Sequence, residues 1–164
     1  MLTWMLGTDG DWVITIVRIA LGVVFFAHGA QLAFGWFGGA GLQSTIRVFR
    51  EQLRIPAPLA ILAVAAEFLG GLGLLVGLLS RIAALGIAVV MLVALLTVHW
   101  KFGFFMNWYG DQQGHGIEYH VLVLVLALVV MIKGGGPLSL DQVLYQHIFT
   151  QNGVALGAHT GRGQ

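Results

Sequence analysis

Apolar residues run through this chain in four long blocks, separated by short polar or glycine-rich stretches. The first, Trp12 to Phe34, has 23 residues. As a helix at ~1.5 Å per residue it extends about 34 Å, enough for a hydrocarbon core of roughly 30 Å. The second runs from Pro58 to Leu79, with Pro56 and Pro58 at its start, where a missing N–H costs least. Ser80 and Arg81 make a tight turn into the third block, Ile82 to Trp100, which predicts an antiparallel hairpin. The fourth, about Ile117 to Ile132, is the shortest, and its VLVLVL alternation has the period of a strand. A lone strand in lipid leaves its backbone groups unpaired, so a helix is predicted here too. Gly134, Gly135, Gly136 and Pro137 stop it. The expected fold is all-α: an integral membrane four-helix bundle with spans at about 12–34, 58–79, 82–100 and 117–132, in one domain over 1–145. A polar, mobile tail is expected over 146–164.

The connections refine this picture. Gln43 to Leu53 interleaves Arg47, Arg50 and Glu51 with Ile46, Val48, Phe49 and Leu53, and Arg54 follows. That spacing predicts a short amphipathic helix between spans one and two, either in the headgroup layer or in a solvated loop. Trp36, Trp100, Trp108 and Tyr109 fall near the same boundary, as an aromatic belt does. Four spans place both termini on one side. Arg18, Arg81, Lys133 and Arg162 on that side balance Arg47, Arg50, Arg54 and Lys101 on the other, so basic residues do not set the orientation. The first span is read as permanent rather than as a signal peptide, because no Lys or Arg precedes it.

Composition narrows the class. Of 164 residues, 58% are hydrophobic and 9% charged, against about 25% charged in ordinary globular domains. Eight basic and 7 acidic residues cannot cover a soluble fold of this size. A net charge of +1 gives nucleic acid no clustered basic face. With no cysteine, disulfides, thiolate metal sites and cysteine nucleophiles are excluded. The bilayer is the expected partner, with protein partners or a second copy beside it. Small residues offer packing surfaces in lipid: Ala66 with Gly70, Gly73 with Gly77, and Gly22 and Gly86 on the neighbouring spans. They place span two at the centre.

Candidate chemistry lies in the polar residues within the spans, since charge at membrane depth costs about 2.5–3.5 kcal/mol and usually faces the interior. Counted from the loop-side ends at ~1.5 Å per residue, His28 is roughly 9 Å deep, Gln31 about 4–5 Å and Glu67 roughly 14 Å. His99 stands at the mouth of span three, and Glu118 and His120 at that of span four. All six fall in one half of the bilayer. The expectation is a polar pocket based on Glu67 and lined by His28, Gln31, His99 and Glu118. Glu118 and His120 are about 200° apart around a helix, so one of them faces elsewhere. Arg18 lies roughly 24 Å down, near the terminal side, and its long side chain allows an ion pair with Glu67 or a structural role. Arg81 in its turn is expected to bind headgroups or cap a helix end.

Three chemistries fit such a pocket. A metal or haem needs converging imidazoles, which His28, His99 and His120 supply, but no HExxH, CxxCH or close His pair within a span supports it. A proton relay would use Glu67 with His28 and His99. A quinone-like ligand needs an apolar slot, a His or Glu for its carbonyl, and aromatics such as Phe25, Phe26, Phe34 and Trp100. No phosphate-binding or nucleophile-elbow motif is present.

RIALGVVFFAHGAQLAFG in span one, PAPLAILAVAAEFLGGLGLLVGLLSRIAAL across spans two and three, and the closing GGGPLSLD together resemble the DoxX (DoxX/DoxD-like) membrane-protein family over about Arg18 to Asp141. By that resemblance Arg18, His28, Glu67, Gly70, Gly71, Arg81, His99 and Glu118 occupy recurring polar and glycine positions, and Gln31 stands where a Lys is common. The resemblance implies a four-helix bundle in a prokaryotic plasma membrane, linked to quinone-dependent oxidoreductase assemblies. The function expected is a small membrane subunit of an electron-transfer assembly, without complete catalytic machinery of its own. Glu67, His28 and His99 handle protons, and Gln31, Glu118, Arg18 and Trp100 surround a quinone or similar lipid-soluble ligand. The alternative is a non-enzymatic transporter or assembly factor.

Overall fold

The computed structural model describes residues 2–148. In chain order its α-helices are α1 (Leu2–Leu6), α2 (Trp12–Phe34), α3 (Gly41–Glu51), α4 (Ala57–Val76), α5 (Ser80–Ala94) and α6 (Glu118–Lys133). Helix α5 continues through a π turn, Leu95–His99, and a 3-10 turn, Trp100–Phe102. Residues 140–148 are helical as well, and no strand occurs among the described residues. The remainder of the expected tail lies outside them. Three helices are long and apolar enough to cross a membrane: Trp12–Phe34, Ala57–Val76 and Ser80–Phe102. Helix α6 is equally apolar but has 16 residues.

Each long helix buries one stripe at three- and four-residue spacing, as an amphipathic period requires. In α2 it passes through Ile14, Arg18, Leu21 and Phe25. In α4 it comprises Ala60, Val64, Glu67, Gly71 and Leu74. In α5 it runs through Ser80, Ala84, Ile87 and Met91, and in α6 through His120, Val123, Ala127 and Val130. Arg18, Glu67 and His120 thus stand at core positions of three different helices. Helix α4 packs against α2, α3 and α5, while α6 packs against α5 and α2.

Local chemistry sets the helix ends. Asp11 accepts from the Val13 N–H at 2.9 Å and caps α2, whose other end closes on Gly35 in the left-handed region. Glycines then let α2 and α4 touch backbone to backbone. A Cβ on Gly71 would lie 2.2 Å from the Phe26 nitrogen, and one on Gly29 would lie 2.4 Å from the Phe68 nitrogen and Cα. The pair expected from spacing, Gly73 with Gly77, does not form one packing surface. Gly73 faces the Leu78 carbonyl of its own turn and the Ala83 methyl of α5, and Gly77 ends α4 at φ 71° beside Ser139 and Arg18. Ala66 and Gly70 do face α5, toward Gly86 and Ile87.

The terminal end of the helices is held by a polar clasp. The Arg18 guanidinium donates to Gly135 O (2.7 Å), Leu75 O (2.9 Å) and Leu138 O (2.6 Å), and also to Leu74 O. It therefore caps the C-terminus of α4 and ties it to the GGGPLSLD segment. The expected ion pair with Glu67 is not formed: all three donating nitrogens of Arg18 are committed to carbonyls at the C-terminus of α4 and in the closing segment. Arg81 caps the C-terminus of α6, donating to Ile132 O (2.8 Å) and Met131 O, and reaches Gly7 O at 3.0 Å. Of the two roles expected for it, helix capping is the one built. Asp141, 1% exposed, accepts from the Leu79 and Ser80 N–H groups at 2.7 and 2.9 Å and caps the N-terminus of α5. Cations at helix C-termini and an anion at an N-terminus each oppose the local end of a helix dipole.

At the edge of this clasp the Lys133 ammonium donates to Asp9 at 2.6 Å, in the open. Lys133 holds the Asp9 carboxyl below the usual carboxylate range. Any stability from this pair is present above the ordinary carboxylate pKa and lost as pH falls through the lowered value. Exposed pairs contribute little, so Asp9→Asn is expected to leave the thermal unfolding midpoint at neutral pH unchanged in a detergent melt.

Candidate functional site

A cavity of about 460 Å³ opens between α3, α4 and α5. Phe49 and Leu53 cover it from the α3 side, Leu59, Ala63 and Ala66 line it from α4, and Val89, Val90 and Val93 from α5. Glu67 supplies its charged group. The floor is open because the facing residues are small: a Cβ on Gly86 would meet only the Ala66 Cβ, at 3.6 Å. Thr97, near the mouth, spends its hydroxyl on the Val93 carbonyl of its own helix at 2.7 Å. The wall is therefore apolar with one carboxyl set into it, rather than the polar pocket expected.

Glu67 is 8% exposed. Besides lining the cavity it lies within electrostatic reach of Tyr119 in the first turn of α6. Tyr119 stands among the imidazole groups of the loop-facing half, of which His28 is exposed, His99 half-buried and His120 buried. Its ring centroid is 6.5 Å from that of His28 and 5.6 Å from that of His120. His120, 5% exposed, stacks on His99 with centroids 4.1 Å apart. The π turn at Leu95–His99 makes this contact possible. One extra residue in a turn rotates the rest of the helix by about 100° relative to an unbroken α-helix, and here the rotated residue meets α6.

The expected site residues separate into two groups. Glu67, His28 and His99 are drawn toward one cluster, with Tyr119 and His120 as the links. The other four are engaged elsewhere or face outward. The Gln31 amide donates to the Phe37 carbonyl at 3.3 Å, in the loop after α2. Glu118 accepts from the Met106 N–H at 3.1 Å and pins the loop that precedes α6, where the Gly116, Ile117 and Glu118 N–H groups bond Phe105, Gly103 and Phe104 carbonyls. Trp100 is 65% exposed. Arg18 belongs to the clasp at the opposite end. Sequence reasoning gives Tyr119 no role and places Glu118 rather than His120 in the pocket, whereas His120 is the buried one of the two. The usable signal was phase: His120 is in register with Val123, Ala127 and Val130, and Glu118 is not. Among the described residues no group of three or more His, Asp or Glu side chains is arranged to hold a metal ion.

The DoxX family model matches residues 13–100, more than half of the chain. That segment carries α2, α3, α4 and α5 with their Arg18, His28, Glu67, Arg81 and His99. A Bacillus subtilis (strain 168) protein named "Putative oxidoreductase CatD" is 26% identical over 131 residues, covering 80% of this chain and 86% of that relative. No solved structure gives a significant match. With three helices suited to cross a bilayer and the family pattern running through all of them, this multi-pass membrane protein belongs to the DoxX family.

Proposed function

We propose that the chain is the ligand-binding membrane subunit of an oxidoreductase assembly in a prokaryotic plasma membrane, and that its cavity takes a quinone or a similar lipid-soluble molecule. The observation that carries this reading is one acid, Glu67, set in an otherwise apolar cavity of about 460 Å³. Ligand sites usually measure ~300–1,000 Å³ and pair an apolar wall with a few polar groups that fix orientation. Bound there, a quinone supplies electron and proton transfer. The chain's own part is to hold an apolar ring between α4 and α5, offer it a hydrogen bond from Glu67, and supply protons. Exposed His28 and half-buried His99 serve that last role. Gln31, Glu118 and Trp100 act at a distance, by fixing the loops around the site. The name of the Bacillus relative supports an oxidoreductase context.

The membrane placement rests on the same arrangement. Helix α6 is the fourth span, so both termini lie on one side. Helix α3 lies in the headgroup layer: Phe49 and Leu53 turn to the cavity while Arg47, Arg50 and Arg54 are exposed. A transporter would need a second opening, and the Arg18–Arg81–Asp141 clasp closes the other end of the helices.

The test is binding of decylubiquinone to detergent-purified protein, read by quenching of tryptophan fluorescence. Ala66→Phe and Gly86→Leu fill the floor of the cavity and are expected to weaken binding at least about tenfold, the cost of ~1.4 kcal/mol of lost apolar contact. Glu67→Gln, which keeps shape but not the acid, and His28→Ala report on the polar contacts. Binding unchanged in all four variants would refute the reading.

A further inference from the structure

The eight basic residues of the chain are spent unevenly. Arg18 and Arg81 are committed to backbone carbonyls in the clasp, Lys133 pairs with Asp9, and Lys101 lies 4.9 Å from the centre of the Phe102 ring. Arg162 lies outside the described residues. Arg47, Arg50 and Arg54 are exposed, and no described group bonds or pairs with their guanidinium groups. Arg47 and Arg50 are three residues apart on one side of α3, where like charges repel, and Arg54 follows the helix. Arg54 has φ 56°, in the left-handed region where a helix end usually places glycine, and the turn it makes closes with the Ile55 N–H on the Phe49 carbonyl at 2.8 Å. Arginine there keeps a third cation beside the other two at the cost of backbone strain. The outer face of α3 is also hollowed, by a concavity of about 410 Å³ lined by Gln43, Ile46, Arg47, Arg50 and Glu51. Residues 35–40 and 52–56 link α3 to α2 and α4, two helices suited to cross a bilayer. The Thr45 hydroxyl donates to the Leu32 carbonyl, in the last turn of α2, at 3.2 Å. Helix α3 is thereby held at the level where α2 ends, with Trp36, Phe37 and Val48 exposed around it.

We propose that the outer face of α3 binds the headgroup of an anionic phospholipid, with Arg47 and Arg50 on its phosphate oxygens and Arg54 beside them. This rests on the placement of α3 in the headgroup layer, and it names what that placement puts in front of the three cations. A guanidinium presents parallel N–H groups that match phosphate oxygens two at a time. The remaining polar groups of the concavity suit a glycerol headgroup: its hydroxyls can donate to the Glu51 carboxylate and exchange hydrogen bonds with the Gln43 amide. A choline headgroup brings no hydrogen for either and no net negative charge. An acidic protein partner would match the charge, but it would have to displace the lipid already standing at this level.

The experiment titrates the detergent-purified full chain with palmitoyl-oleoyl phosphatidylglycerol and follows bound lipid by native mass spectrometry. Phosphatidylcholine with the same acyl chains and inorganic phosphate are the comparisons. Each cation near a membrane surface contributes about fivefold to binding an anionic lipid. Arg50→Gln is therefore expected to weaken phosphatidylglycerol binding about fivefold, and the triple variant Arg47→Gln, Arg50→Gln, Arg54→Gln roughly a hundredfold. Lys133→Gln removes the same charge at the other end of the helices and is expected to leave binding unchanged. Phosphatidylcholine is expected to bind the parent and the triple variant equally. Phosphatidylglycerol binding that survives the triple substitution overturns the proposal, and is the result an acidic protein partner would give. An equal loss in Lys133→Gln overturns it too, by reducing the effect to net charge. Inorganic phosphate that competes as tightly as the lipid binds assigns the concavity to free phosphate instead. Placement is read separately. The chain has no cysteine, so a spin label on Val48→Cys is unique, and in proteoliposomes its collisions with oxygen against those with a water-soluble nickel chelate give its depth. A label at headgroup depth with lipid binding unaltered in the triple variant refutes the headgroup site alone. A label in open water refutes the placement and the site with it.

Discussion

Gly71→Ala is expected to lower the unfolding free energy by about 3 kcal/mol, the upper end of what one overpacked position costs. The measurement is an SDS titration in mixed micelles. A single methyl group has this effect because of what it meets. The new Cβ would stand 2.2 Å from the Phe26 nitrogen and 2.7 Å from the Phe25 carbonyl carbon. Both are backbone atoms of α2, so neither can swing away as a side-chain tip would, and the two helices must move apart along the longest contact in the fold. Gly29→Ala meets the same obstacle from the other side, 2.4 Å from the Phe68 backbone. Gly86→Ala is the internal comparison. Its Cβ would find only the Ala66 methyl at an ordinary 3.6 Å, and alanine is favoured over glycine in a helix by up to ~1 kcal/mol. That variant is expected to be at least as stable as the parent. Equal stability of Gly71→Ala and Gly86→Ala would show that α2 and α4 do not approach as described. In lipid, where apolar surface gains nothing by leaving its solvent, such close approach is a principal source of helix association.

How much of this was legible beforehand depends on the kind of signal. The helices were, because hydropathy acts through many residues at once: the first span was predicted at 12–34 and is Trp12–Phe34. The amphipathic helix was placed within two residues of α3 at each end. Which glycines join which helices was not, since Gly70 and Gly71 are neighbours in sequence but face α5 and α2 respectively. Spacing points equally to Ala66 with Gly70, which do face α5, and to Gly73 with Gly77, yet the helix ends at Val76 and turns Gly77 into a cap. Depth counting correctly separated Arg18 from the loop-side polar residues. It could not show that His99 is rotated toward α6 by a π turn, because nothing in Leu95–His99 marks that extra residue. Nor could it find the cavity, which arises from two small residues, Ala66 and Gly86, on different helices beneath the side chains of a third. Buried-stripe phase was the unused clue. Applied to α6, it selects His120 and leaves Glu118 to the loop, as the hydrogen bond to Met106 then requires.

Arg18→Met is expected to cost about 4 kcal/mol of stability by the same SDS titration, with Arg18→Lys recovering less than half. The guanidinium presents its nitrogens as a fork, and here each prong ends on a different carbonyl: Gly135 from Nε, Leu74 and Leu75 from Nη1, Leu138 from Nη2. Methionine fills the volume but strands those acceptors, each worth ~1–3 kcal/mol when buried without a partner. It also leaves Asp141, 1% exposed, with one fewer cation nearby. An ammonium is a point charge with no planar fork and cannot span the C-terminus of α4 and the GGGPLSLD segment together. The decisive comparison is the double variant with Glu67→Gln. If Arg18 neutralised Glu67 across the membrane interior, the two substitutions would couple strongly. Because the clasp holds the C-terminus of α4 while the cavity acid stands near its middle, and the two share no partner, their effects should add to within about 0.5 kcal/mol. A coupling above ~1 kcal/mol would restore the direct pair and make Arg18 part of the site. Additivity assigns the two buried charges separate tasks, with Arg18 fixing how α2, α4 and the closing segment meet and Glu67 left free to serve the cavity it faces.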